Sequence, residues 1–178
     1  WAVGERGVLL RWDGTRVTPV PSPTRKNLGA IWGSGPDDLW AVGDDGVMLH
    51  KDAVGWSMAA SPTQQNLTSM WGSSPNDIWA IGPSGPFLHF DGRQWTTHPR
   101  PGLYDFRWLA GSSSSYVFAL APRKLARWDG VAWADVSLGR LPVALDGLSI
   151  AFGGLRVSGV NDVWISEVTP FMNGLLRR

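Results

Sequence analysis

Apolar residues in this chain fall in short runs broken at close intervals by turn-forming residues. Leu28 to Trp32 is followed by Asp38-Leu39-Trp40-Ala41-Val42, then Val47-Met48-Leu49-His50, then Trp56-Ser57-Met58. Between them lie Gly33-Ser34-Gly35-Pro36-Asp37 and Gly43-Asp44-Asp45-Gly46, and Ser61-Pro62-Thr63 follows the last. Strand-length runs with such punctuation predict an all-β chain, and no segment keeps helical apolar spacing over a useful length. The exception is Leu138–Gly154, which is expected to form a short helix or a long loop. Asp13-Gly14, Asp91-Gly92 and Asp129-Gly130 each predict a hairpin, because Asp-Gly tolerates the positive φ that tight turns require.

The runs repeat. Trp1-Ala2-Val3-Gly4 returns 39 residues later as Trp40-Ala41-Val42-Gly43, and again as Trp79-Ala80-Ile81-Gly82. The next step lands on a degenerate copy at Phe118, and a last one, Asp162-Val163-Trp164-Ile165, follows an insertion of roughly seven residues. Trp32-Gly33-Ser34 matches Trp71-Gly72-Ser73, and Trp56 matches Trp95 and then Trp133 one residue early. Four strands in about 40 residues is the signature of a blade in a β-propeller. Leu39-Trp40-Ala41-Val42 is apolar on both alternating faces, as a strand covered on two sides by neighbouring blades should be. The expected architecture is one β-propeller unit over 1–178 of about four and a half blades, a segment of a larger ring, with an irregular five-bladed ring holding two three-stranded blades as the alternative. It divides into a partial blade (1–25), two blades (26–64, 65–103), a degenerate blade (104–140) and a partial blade holding the insertion (141–178), with 18 strands in all.

Composition narrows the functional classes. The 16 Lys and Arg nearly balance 15 Asp and Glu, which removes the basic footprint of a general nucleic-acid binder. Without Cys there are no disulfides, thiolate metal sites or cysteine nucleophile. No apolar run is long enough to span a membrane, and Trp1-Ala2-Val3-Gly4 does not read as a signal peptide. The 12 Trp are the odd feature, and eleven of them fall in repeated registers.

The pattern Trp-Gly-Ser-x-Pro-x-Asp-φ-Trp-Ala-φ-Gly (φ apolar), followed by Leu-His-x-Asp-Gly-x-x-Trp, resembles repeats of large secreted or surface propellers of soil and predatory bacteria. It also resembles the tectonin (tachylectin-1-like) repeat and, more distantly, Asp-box and kelch propellers. The resemblance spans nearly the whole chain. It implies the fold, while one propeller framework hosts many functions. A sialidase would also need a Tyr/Glu pair and an arginine cluster. Only Glu5, Glu167, Tyr104 and Tyr116 are available.

The residues weighed for ligand binding are Trp56, Trp95 and Trp133 on the fourth strand, the unrepeated Trp108 with Tyr104, and a basic position on every third strand. That position is filled by Arg11, His50, His89 and Arg127, and Arg177 is aligned with it. For each, the alternative is architectural: blade closure for the tryptophans, and a cross-strand acidic or aromatic partner for the basic residues. Trp108 aligns with Ala30 and Ser69, while Ala110 takes the place of Trp32 and Trp71, a swap of bulk along one strand face. Asp38, Asp77 and Asp162 suit a structural role in turns. Asp44-Asp45-Gly46 is a weak calcium motif, three scattered histidines do not make a zinc site, and Asn66-Leu67-Thr68 matches the glycosylation sequon by chance. These readings call for no catalytic residues, cofactor or metal. They favour a binding or scaffolding propeller for another protein, or for the remaining blades of its own ring, at the bacterial surface or in the periplasm. A tectonin-like lectin for glycans or lipopolysaccharide is the alternative, with a glycoside-acting enzyme third.

Overall fold

A computed structural model describes residues 1–122, 124–137, 151–159, 162–168 and 175–177. The described residues form 18 strands in five antiparallel sheets. The first sheet has three strands, β1 (Ala2–Val3), β2 (Leu9–Trp12) and β3 (Val17–Val20). The second has β4 (Leu28–Gly35), β5 (Asp38–Gly43), β6 (Met48–Lys51) and β7 (Trp56–Ala59). The third has β8 (Ser69–Ser74), β9 (Asp77–Ile81), β10 (Phe87–Phe90) and β11 (Trp95–His98). The fourth comprises β12 (Trp108–Ser113), β13 (Tyr116–Ala121), β14 (Lys124–Trp128) and β15 (Trp133–Val136). The fifth has β16 (Ala151–Gly159), β17 (Asp162–Val168) and β18 (Leu175–Arg177). Each sheet is a simple meander, and successive sheets contact through their first strands, β4 on β8, β8 on β12 and β12 on β16. This is the β-propeller blade arrangement that the 39-residue repeat predicts. Of the stretch 138–154, the last four residues belong to β16, and 138–150 lie outside the described residues.

The core lies between the blades. Val3, Leu9 and Val20 of the first blade meet Leu28, Ala41, Leu49 and Trp56 of the second. Trp40, Val42 and Met48 of the second meet Met70, Ile78, Ala80 and Leu88 of the third. The third and fourth blades join through Trp79, Ile81 and Phe87 against Phe106, Leu109, Val117 and Trp128. Phe118, Leu120 and Leu125 then face Val163 and Ile165 of the fifth. The interior strands are therefore covered on both faces, which is why β5, β9 and β13 carry almost no polar side chains.

The outer hairpins have a common device. In each of the first four blades an aspartate (Asp13, Asp52, Asp91 or Asp129) accepts backbone N–H groups two and three residues on. Those donors hold all four carboxyls below the ordinary aspartate pKa. Gly14, Gly92 and Gly130 have φ of 103°, 88° and 100°, the left-handed geometry that Asp-Gly foretold.

Candidate functional site

Three residues recur around the start of the second strand in the second and third blades. Ser34 is the penultimate residue of β4, Asp38 opens β5 across the turn, and His50 lies on β6 directly opposite Trp40. Ser34 Oγ donates to Asp38 Oδ2 at 2.5 Å, and His50 Nε2 lies 3.0 Å from Asp38 Oδ1. An acceptor-only carboxylate requires the Nε2–H tautomer. The imidazole stacks on the Trp40 indole with centroids 4.3 Å apart. The third blade repeats the set. Ser73 donates to Asp77, His89 Nε2 lies 2.6 Å from Asp77, and His89 stacks on Trp79 at 4.4 Å. In the fifth blade Ser158 donates to Asp162.

This grouping of Ser, Asp and His is not a nucleophilic triad. A serine nucleophile needs the imidazole as its proton acceptor, with the carboxylate behind. Here the carboxylate stands between the two and accepts a hydrogen bond from each, so the imidazole is not placed to deprotonate the hydroxyl. The arrangement fastens three strands and sets the ring that covers the tryptophan. Sequence reasoning missed the serine partners of Asp38, Asp77 and Asp162, although the repeated Trp-Gly-Ser triplet carried the signal for the first two.

The fourth blade solves the same problem differently. Tyr116 replaces the aspartate and Arg127 the histidine, and the guanidinium lies 4.5 Å above the Tyr116 ring. Arg11 of the first blade is exposed, and Arg177 lies on β18, paired with Trp164 through the backbone.

The fourth-strand tryptophans point at the preceding blade. Trp56 meets Trp1 edge-on at 5.5 Å, Trp95 meets Trp40 at 5.3 Å, and Trp133 meets Trp79 at 5.2 Å. The indole N–H groups of Trp56, Trp95 and Trp133 are buried without a hydrogen-bond acceptor, which suits donors set among π faces. Trp40 and Trp79 thus each sit in a seat made by the next blade's third and fourth strands: Phe90 and Trp95 for Trp40, Trp128 and Trp133 for Trp79.

The first-strand tryptophans occupy a different slot. A Cβ on Gly72 would fall 2.7 Å from Trp32, and one on Gly111 would fall 2.7 Å from Trp71. Each indole therefore needs a glycine on the next blade. Backbone pairing puts Gly33, Gly72, Gly111 and Val157 at one register, opposite Leu39, Ile78, Val117 and Val163. With Val157 in the fifth blade that slot is filled, and the residue facing it from the fourth blade is Ala110. The displaced bulk reappears at Trp108, which packs against the same core between the fourth and fifth blades as Leu155 and Val157. Tyr104 lies elsewhere, against the core between the third and fourth blades, beneath the Lys124 ammonium 4.7 Å from its ring. The structure therefore does not bring Trp108 and Tyr104 together.

The remaining motifs are also occupied. Asp44 accepts from Asn27 Nδ2 at 2.8 Å and Asp45 pairs with Lys26 at 2.8 Å, and among the described residues no cluster of three metal-ligating side chains forms. Asn66 Oδ1 accepts the Asp45 N–H, as Asn27 Oδ1 accepts that of Arg6. A hollow of about 180 Å³ beside this turn is lined by Lys26, Asp45, Met48 and Met58. It is below the usual size of a small-molecule site, roughly 300–1,000 Å³. No helix among the described residues is long and apolar enough to cross a membrane.

Comparison with known proteins supports this architecture. No family model and no curated protein matches the chain. Among solved structures it is similar to YCF48 bound to a D1 peptide, with a TM-score of 0.61 and 16% identity over 93% of this chain and 71% of the other. It is also similar to a catalytically inactive variant of virginiamycin B lyase from Staphylococcus aureus with quinupristin. There the TM-score is 0.68 and identity 10%, over 99% of this chain and 70% of the lyase. At such identities the likeness establishes the fold, a β-propeller.

Proposed function

We propose that this protein is a non-enzymatic binding propeller that holds a polypeptide partner, acting at the bacterial surface or in the periplasm. The observation that carries the reading is the use of the recurrent Ser, Asp, His and Trp residues. They are spent on one another inside and between blades, so the repeated chemistry maintains the frame and, among the described residues, sets no imidazole against a serine hydroxyl. A frame of this kind bears function on the loops it positions. Support comes from the similar fold of YCF48, whose structure contains a bound peptide. The likeness of the repeat to tectonin-type propellers belongs to the same proposal.

Panning the purified protein against a phage-displayed random peptide library tests it, with a glycan array run in parallel. Enrichment of peptides with a shared motif, bound with micromolar or better affinity, is the expected result. Absence of enrichment alongside saturable glycan binding would overturn the proposal in favour of the lectin.

A further inference from the structure

The first blade exposes a face that every later blade hides. Ala41, Ala80 and Ala119 are fully buried, as are Leu49, Leu88 and Ala126, because the preceding blade covers them. By strand pairing their counterparts in the first blade are Ala2 and Leu10, the one exposed and the other half-buried. Val8 is 45% exposed where Val47, one repeat on, is 5%. Trp12 and Val17 pair across β2 and β3 as Phe90 pairs with Trp95 and Trp128 with Trp133. Those two pairs are the seats of Trp40 and Trp79, yet Trp12 is 56% exposed and Val17 54%. A contiguous apolar surface built to a template used at the inner joints has the shape and chemistry of a vacant joint.

We infer that this face seats a further four-stranded blade of the same repeat, supplied by sequence outside residues 1–178, whose second-strand tryptophan enters between Trp12 and Val17. The template specifies the occupant: a sheet with an indole at this register, ordinarily stacked under a histidine as in Trp40 with His50. Ring size selects the source. Five sheets that match about 70% of each similar propeller correspond to a closed ring of about seven blades, so about two blades are wanted. A second copy of this chain would bring five, for a total above the usual range of about 4–8.

Hydroxyl-radical footprinting read by mass spectrometry tests the inference without any substitution. It is run on the chain 1–178 and on the full product of the natural gene, with buried Trp79 and exposed Leu103 as internal references. The expected result is that Trp12 reacts readily in the 178-residue chain and falls to the reactivity of Trp79 in the full product. Equal, high reactivity of Trp12 in both overturns it, as does a gene product that ends at these residues. Protection of Trp12 in the 178-residue chain alone, growing with concentration alongside a rise in mass, would identify a second copy as the occupant and also overturn it.

Discussion

The third and fourth blades trace the same four strands, yet their interiors are held by different chemistry. In the third, Asp77 gathers Ser73 and His89, and the imidazole covers an indole that also touches His98, Trp128 and Trp133. In the fourth, Tyr116 and Arg127 stack, Phe118 takes the tryptophan position, and Ser112 has lost its aspartate. The strand order and antiparallel pairing persist, with the turn between the second and third strands one residue shorter in the fourth blade, because both solutions fill one volume between the same two strands. The blade geometry thus depends on bulk and coverage at these positions, and hydrogen bonding is one way to supply them.

The largest separation between the two blades is expected from Trp79→Ala. Removing a fully buried indole should cost about 3–5 kcal/mol, lowering Tm by on the order of 10 °C in a chain of this size. Phe118→Ala should cost less by the same calorimetric measurement, since Phe118 has fewer aromatic neighbours. Equal losses would show that the blades are energetically alike.

Next in size is the slot between first strands. Ala110→Trp alone should destabilise by about 1–3 kcal/mol through overpacking against Val157. Paired with Val157→Gly it should recreate the Trp71–Gly111 arrangement. A double-mutant cycle in urea should then show favourable coupling of about 1–2 kcal/mol. Simple additivity would break the link between the two blades.

A smaller contrast lies in the serines. Ser73→Ala should cost about 1 kcal/mol, since it strips a bond from Asp77, whereas Ser112→Ala should stay within about 0.5 kcal/mol.

The smallest effect is in pH. Burial among aromatic rings, and then the neighbouring His89, hold the His98 pKa below the usual 6.5. The unfolded chain therefore takes up this proton first, and stability should fall as pH drops from about 6.5 through the lower folded pKa. Replacing His98 with Gln should flatten the Tm profile over that window. A further decline belongs below pH 4. There the lowered pKa values of Asp13, Asp52, Asp91 and Asp129 give a contribution present above their ordinary value and lost as pH falls through the folded one.

Repetition made the fold legible. The 39-residue step put Trp1, Trp40 and Trp79 on equivalent strands, and the Asp-Gly pairs marked the hairpins. Alternation then separated covered strands from wet ones. The basic position on the third strand was legible only as a register. Its stacking on Trp40 and Trp79 depends on cross-strand pairing between residues ten apart, which a linear pattern does not display. The dependence of Trp32 on Gly72 was hidden for the same reason. The two residues belong to different repeats, and their interdependence surfaces only where both change, at Ala110 and Val157. Trp108 looked like a free feature of the sequence because its compensating partner lies 49 residues away.

Arg6 and Asp45 sit in left-handed turns, φ 54° and 53°, each closed by an asparagine from the following blade. Each of the two blades closes its turn with two backbone bonds of its own, between Gly4 and Val8 and between Val8 and Glu5 in the first, and between Gly43 and Val47 and between Val47 and Asp44 in the second. The asparagine adds the last bond to a conformation that costs backbone energy. A nascent chain leaving the ribosome would therefore complete the turns of its first two blades one repeat late, when Asn27 or Asn66 arrives to fasten the turn behind it. Assembly of these two blades is thereby given a direction in time: the turn of each remains provisional until its successor has been made.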